Sequence, residues 1–153
     1  MPTVLRARLA SLADDALAAS RKGGDLDAIL RSLLARIPFA ALVADSEGLY
    51  VVANEAASTL TDYSTFELRR LSVWQLTPMG AYHDAETLWR GFLARGEQTG
   101  AYDIVRKDGQ IVTVDYAARA HVLPGRHVSL LRPTISTSVQ AAETPARGES
   151  PSA

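Results

Sequence analysis

The sequence predicts an α+β fold: a five-stranded antiparallel sheet with short helices on one face, plus an N-terminal helical extension. Three observations predict it. Two apolar runs, 40–45 and 49–53, are separated by the turn-forming cluster Ser46-Glu47-Gly48. Three further runs with apolar alternation close the domain, joined by Lys107-Asp108-Gly109 and Leu123-Pro124-Gly125. Between the two groups lie segments with helix caps and helical periodicity. Runs of strands separated by a block of helices favour an antiparallel sheet with the helices gathered on one side.

The first region, residues 1–37, reads as two helices. Leu5, Leu9, Leu12, Ala16 and Ala19 alternate spacings of four and three, which puts them on one narrow stripe similar to a coiled-coil seam. Arg21-Lys22-Gly23-Gly24 ends that helix, with basic residues near its negative pole. Asp25 caps a second helix, in which Leu26, Ile29, Leu30, Leu33, Leu34 and Ile37 form one apolar face before Pro38 stops it. A stripe as thin as the first is expected to pair with a second copy of the chain through Leu5, Leu9, Leu12 and Ala16. The competing reading packs both helices on their own domain.

The central region, 38–132, opens with the hairpin, after which Asn54 caps a helix over 55–60. Ser64-Thr65-Phe66-Glu67 fits a capping box and starts a short helix reaching about Leu71. A longer helix is expected over 81–95, with Ala85, Leu88, Trp89 and Phe92 on one face and Gly96 at its end. With Gly109 as the left-handed residue of the next hairpin, Tyr102 falls opposite Val114 and Ile104 opposite Val112. Tyr102, Ile104, Val112, Val114, Tyr116 and Ala118 then share the inner face of the sheet. The last region, 133–153, is rich in Pro, Ser, Thr and Ala, has no aromatic residue and is expected to be disordered.

Composition removes several function classes. Sixteen basic residues against seventeen acidic ones give a net charge of −1, so no general attraction for nucleic acid or anionic membrane is expected. The absence of cysteine excludes disulfides, thiolate nucleophiles, cysteine zinc sites, iron–sulfur clusters and covalent flavin–thiol adducts. Charged residues interrupt Met1–Ala19, leaving no signal core or spanning stretch, which reads as cytoplasmic.

Over 38–132 the chain resembles the PAS sensory domains. The likeness rests on IPFAALVADSEGLYVVANEAA (37–57), DYSTFELRRLSVWQLTP (62–78) and GAYDIVRKDGQIVTVDYAARAHVLPGRHVSLLR (100–132). In that family an Asn caps the first helix after the opening hairpin, as Asn54 does here, and an Arg-Lys-Asp-Gly hairpin matches Arg106–Gly109. The resemblance implies a curved sheet cupping short helices around a small pocket, a role in signal sensing, and frequent dimerisation through an N-terminal helix. The family's usual amphipathic helix after the last strand is not matched, since Pro133-Thr134-Ile135-Ser136 follows Arg132. The expectation is a stand-alone module that signals through its N-terminal helices or a separate protein partner.

Trp74, Trp89, Phe92, Tyr102 and Tyr116, with Ile104 and Val114 on the same inner face, are the candidates to line a pocket for an aromatic or acyl ligand. A filled core in a pure dimerisation scaffold is the alternative. Haem-binding PAS sensors place an axial histidine near the start of the long helix, which points to His83. Helical periodicity turns His83 away from Leu88, Trp89 and Phe92, on the side of Glu86, Thr87 and Arg90. Haem or a non-covalent flavin is therefore an alternative cofactor rather than a requirement. His121 and His127 could oppose each other across the last hairpin as half a metal site, but a solvated or ion-paired sheet surface shared with Asp115 and Arg119 is the expected reading. Asp103, Asp115 and His121 could supply an acid–base pair, yet no nucleophile motif or phosphate-binding glycine loop supports catalysis. The sequence thus reads as a homodimeric, non-catalytic sensory or protein-interaction module.

Overall fold

The structure, a computed structural model, describes residues 2–77 and 85–134. Two helices, α1 (Pro2–Ser20) and α2 (Leu26–Leu34), precede a hairpin of β1 (Ala40–Ala44) and β2 (Tyr50–Ala53). Then come α3 (Glu55–Thr61), α4 (Thr65–Leu68), a 3-10 turn at Val73–Leu76, and α5 (Ala85–Arg95). Three long strands finish the fold: β3 (Glu97–Val105), β4 (Ile111–Leu123) and β5 (Arg126–Pro133). The sheet order is β2-β1-β5-β4-β3, with each neighbouring pair antiparallel.

The predicted register is present, with Tyr102 opposite Val114 and Ile104 opposite Val112. The predicted caps are present too. Asp25 accepts from the Ala28 amide at 2.9 Å, and Ser64 and Glu67 exchange both bonds of a capping box. The 3-10 turn carries a Ser72–Gln75 capping pair of its own, which the sequence reading did not foresee. The last strand runs one residue past the expected boundary at Arg132, and the Thr134 amide still donates to the Thr113 carbonyl at 3.0 Å. The disorder expected of the tail concerns 135–153, outside the described residues.

The sheet has two apolar faces, each with its own core. On the outer face, Leu5, Leu9, Leu12 and Ala16 of α1 and Leu30 and Leu34 of α2 pack on Ala41, Val43, Ala117, Val128 and Leu130. This corrects the assignment of Leu5, Leu9, Leu12 and Ala16 to a dimer seam, because all four are no more than 3% exposed within a single chain. The stripe lies chiefly over β4, where the small side chain of Ala117 lets a narrow ridge approach the sheet. Burying the three leucines contributes on the order of 5–9 kcal/mol. The helices are the outer layer of the domain rather than a free arm.

Asn54 ties that layer to the rest. Its Oδ1 accepts from the Ala41 amide at 3.0 Å and the Ala57 amide at 2.9 Å, while its Nδ2 donates to the Leu34 carbonyl at 3.1 Å and the Phe39 carbonyl at 2.9 Å. One buried amide thus joins the end of α2, the approach to β1 and the start of α3. A second tie is polar and partly exposed: the Arg126 guanidinium at the start of β5 donates to the Asp27 carboxylate in the first turn of α2, with Nε to Oδ1 at 2.5 Å.

Candidate ligand cavity

The inner face of the sheet is divided along its strands. Toward the β3–β4 hairpin, Ile104, Val114 and Leu131 are buried under Ala57, Leu68 and Leu76. Toward the other end, the helices leave a cavity of about 450 Å³ between α5, the β1–β2 hairpin and strands β3, β4 and β5. Of the residues expected to line it, Trp89, Phe92, Tyr102 and Tyr116 do so. Ile104 and Val114 do not: they share the face but lie farther along it, sealed in the core. Trp74 does not either. The 3-10 turn carries its ring onto the β1–β2 turn, where a Cβ on Gly48 would come within 2.9 Å of it. Gly48 has φ +86°, so that turn requires glycine on both conformational and steric grounds.

The aromatic walls are ordered against each other. Trp89 and Phe92, on successive turns of α5, have ring centroids 5.4 Å apart. Tyr102 meets Tyr116 edge-on at 4.8 Å across the β3–β4 pair. Gly100, opposite Tyr116 in the register, has no side chain to obstruct that ring, which passes 3.4 Å from where a Cβ would stand. Leu88 and Tyr102 remain exposed at the rim. Burial, and next the neighbouring Tyr102, push the Tyr50 hydroxyl well above its ordinary pKa.

The feature missed by the sequence reading is His127. It was expected on a solvated surface, yet it is 2% exposed and lines the cavity. Its Nδ1 accepts the backbone N–H of His121 at 2.9 Å, and its Nε2 lies 3.0 Å from the Ser46 hydroxyl. A nitrogen that accepts an amide proton carries none itself, so the ring is neutral with its proton on Nε2, donated to Ser46. The Ser46 carbonyl in turn accepts from the Trp89 indole at 3.1 Å. Burial foremost, then the facing His121, hold the His127 pKa down at about 4. The bond from His121 depends on a bulge: the β4–β5 register shifts between Arg119 and Leu123, and His121 adopts φ +60° there. No glycine marks the position, so nothing in the sequence announces the bulge or the inward turn of His127.

The remaining site candidates separate. His121 and His127 lie ring to ring at 4.7 Å, but no group of three His, Asp or Glu side chains that could hold a metal occurs among the described residues. Asp103 borders the cavity and accepts from the Thr113 hydroxyl at 2.6 Å, Asp115 pairs with Ala101 and Arg132 in the sheet register, and His121 sits in the bulge beyond. His83 lies outside the described residues. His127 offers iron no ligand, since both its nitrogens are engaged by protein. A flavin nucleotide fits the described lining poorly, because among the described residues no Lys or Arg faces the cavity to hold its phosphate.

No protein-family model and no curated protein matches this sequence. Solved structures do match. The PAS domain of a protein from Colwellia psychrerythraea is similar with a TM-score of 0.61 at 18% identity, over 73% of this chain and 99% of that one. The PAS domain of an HTR-like protein from Haloarcula marismortui gives 0.60 at 20% identity, over 76% and 98%. The PAS domain, in complex with ethanol, of a LuxR-family transcriptional regulator from Burkholderia thailandensis gives 0.57 at 13% identity, over 68% and 96%. The chain has the PAS fold. Among the described residues no helix is long and apolar enough to cross a membrane.

Proposed function

We propose that the protein is a non-catalytic sensory module that binds a small molecule in the cavity lined by Trp89, Phe92, Tyr102, Tyr116 and His127. The observation that carries this reading is the cavity itself. A volume of about 450 Å³ is within the range of small-molecule sites, and a wall mostly of aliphatic and aromatic side chains with a few polar groups is what such sites present. A scaffold with a filled core has no reason to leave that space. One neighbour of the same fold is described in complex with a small molecule, ethanol.

The route outward runs through the outer layer. His127 faces the ligand space, and Arg126, the next residue, grips Asp27 of α2. A ligand that shifts the start of β5 changes the Arg126–Asp27 contact and the seating of the two helices, which a protein partner, or a second copy, then reads. Such a shift requires the ligand to bind the two arrangements with different affinity. The test is a thermal-shift screen against a metabolite panel with an Ala118→Phe variant that fills the cavity. Ligands at about 100 times their Kd stabilise the wild type by about 2.7 kcal/mol and leave the filled variant unmoved. Equal shifts in both proteins contradict the assignment of the cavity.

A further inference from the structure

The proposed function leaves open what kind of molecule enters, and the lining restricts it. Resting on that reading, we infer that the ligand is an uncharged aromatic molecule bearing a hydrogen-bond acceptor, held by the Tyr116 hydroxyl as donor.

The charge argument comes from what faces the cavity. Among the described residues no Lys or Arg lines it, and the Asp103 carboxylate is turned to the other face of the sheet, where it accepts from Thr113. The histidine in the wall cannot serve as a cation without giving up the His121 amide that its Nδ1 accepts. Arg126, next to His127, is committed to Asp27. Arg95 lies on the solvent side and is bound to Gln98. An anionic ligand would lose its hydration and gain no counter-charge, the costliest exchange a cavity can impose. The raised pKa of Tyr50, which is buried, has the same origin, since burial there already disfavours a phenolate.

The acceptor argument follows a chain of hydrogen bonds. The Arg95 guanidinium has only donors, so the Gln98 group it meets is the amide oxygen. The Gln98 amide nitrogen is therefore the group that meets the Tyr116 hydroxyl, and it donates there. Having accepted from Gln98, the Tyr116 oxygen has its own proton to give, beside the rings of Tyr102 and the open space. A carbonyl, ether or ring nitrogen on the ligand takes that proton. The ring walls, with Trp89 tilted against Phe92 and Tyr102 edge-on to Tyr116, suit an aromatic body.

A matched set of naphthalenes separates the two parts: 2-acetylnaphthalene, 2-ethylnaphthalene and 2-naphthoate share a ring and a size and differ in acceptor and charge. Titration calorimetry at pH 7 on the full chain is expected to give the ketone the highest affinity, the ethyl compound about 3- to 10-fold weaker, and the naphthoate about 100-fold weaker or more. Tyr116→Phe is expected to bring the ketone down to the ethyl compound and leave the ethyl compound unchanged. Naphthoate within threefold of the ketone overturns the charge selection while the cavity reading stands. A ketone no tighter than the ethyl compound, or insensitive to Tyr116→Phe, overturns the donor role. If none of the three binds, the molecule retained by freshly purified protein decides: a retained carboxylate or phosphate overturns the inference, and an empty cavity overturns the functional reading with it.

Discussion

Asn54 offers the sharpest test of how the outer helices are held, because two of its roles can be separated by one substitution. As a helix cap alone, Asn54 needs only its oxygen, which accepts from the Ala57 amide, and Asp caps helices as well as Asn does. As a bridge it also needs its two N–H groups, which satisfy the carbonyls of Leu34 and Phe39. Asn54→Asp keeps the first role and removes the second. It loses two hydrogen bonds worth about 1 kcal/mol each and leaves two carbonyls facing a buried carboxylate. The sum is a loss of about 3 kcal/mol in urea unfolding at neutral pH. As pH falls toward 5 the carboxyl takes up a proton and regains one donor, so the deficit relative to wild type narrows. A variant within about 0.5 kcal/mol of wild type at pH 7 would refute the bridge and reduce Asn54 to a cap.

Further predictions concern the cavity wall, the outer layer and the first turn. The folded-state pKa of His127, about 4, lies below its ordinary 6.5, so the unfolded chain takes up the proton first. The contribution of the neutral ring is complete above about pH 6.5 and lost as pH falls toward 4, a loss on the order of 2 kcal/mol after discounting for solvent screening. His127→Gln should remove that part of the acid sensitivity, and unfolding curves that run parallel for both proteins from pH 7 to 4 would count against it. Leu9→Ala and Leu12→Ala should each cost about 2–5 kcal/mol in folding stability, as core truncations do. If instead sedimentation shows a dimer falling apart with folding stability unchanged, the stripe belongs to a second chain. Gly48→Ala should cost at least about 1–2 kcal/mol, from φ +86° and the 2.9 Å approach to Trp74, and unchanged thermal unfolding would contradict that crowding.

The fold was legible where local chemistry and periodicity agree. Asp25, Asn54 and Ser64 are caps by residue type alone, and Gly109 with the alternation around it set the β3–β4 register. What failed did so for long-range reasons. The α1 stripe looks too thin for a globular helix because the sequence does not show that Ala117 of β4 lies opposite it on the sheet. Trp74 is a pocket candidate by residue type alone, and the 3-10 turn that aims its ring onto a glycine 26 positions earlier leaves no mark in the sequence pattern. His127 was read as surface because its burial follows from a bulge at His121 that no glycine marks. The cavity was half legible: strand alternation found Tyr102 and Tyr116, but it could not tell where along the same face Ile104 and Val114 pass from cavity into core.

The central claim is that the space beside Trp89 and Tyr116 exists to be occupied. Native mass spectrometry of freshly purified protein tests it most directly, because it weighs the folded chain together with whatever the cavity retains. The account predicts a bound species of small, uncharged mass that is released on denaturation and absent from the Ala118→Phe variant. The bare chain mass in both proteins, with no compound from the panel adding to the wild type, would contradict it.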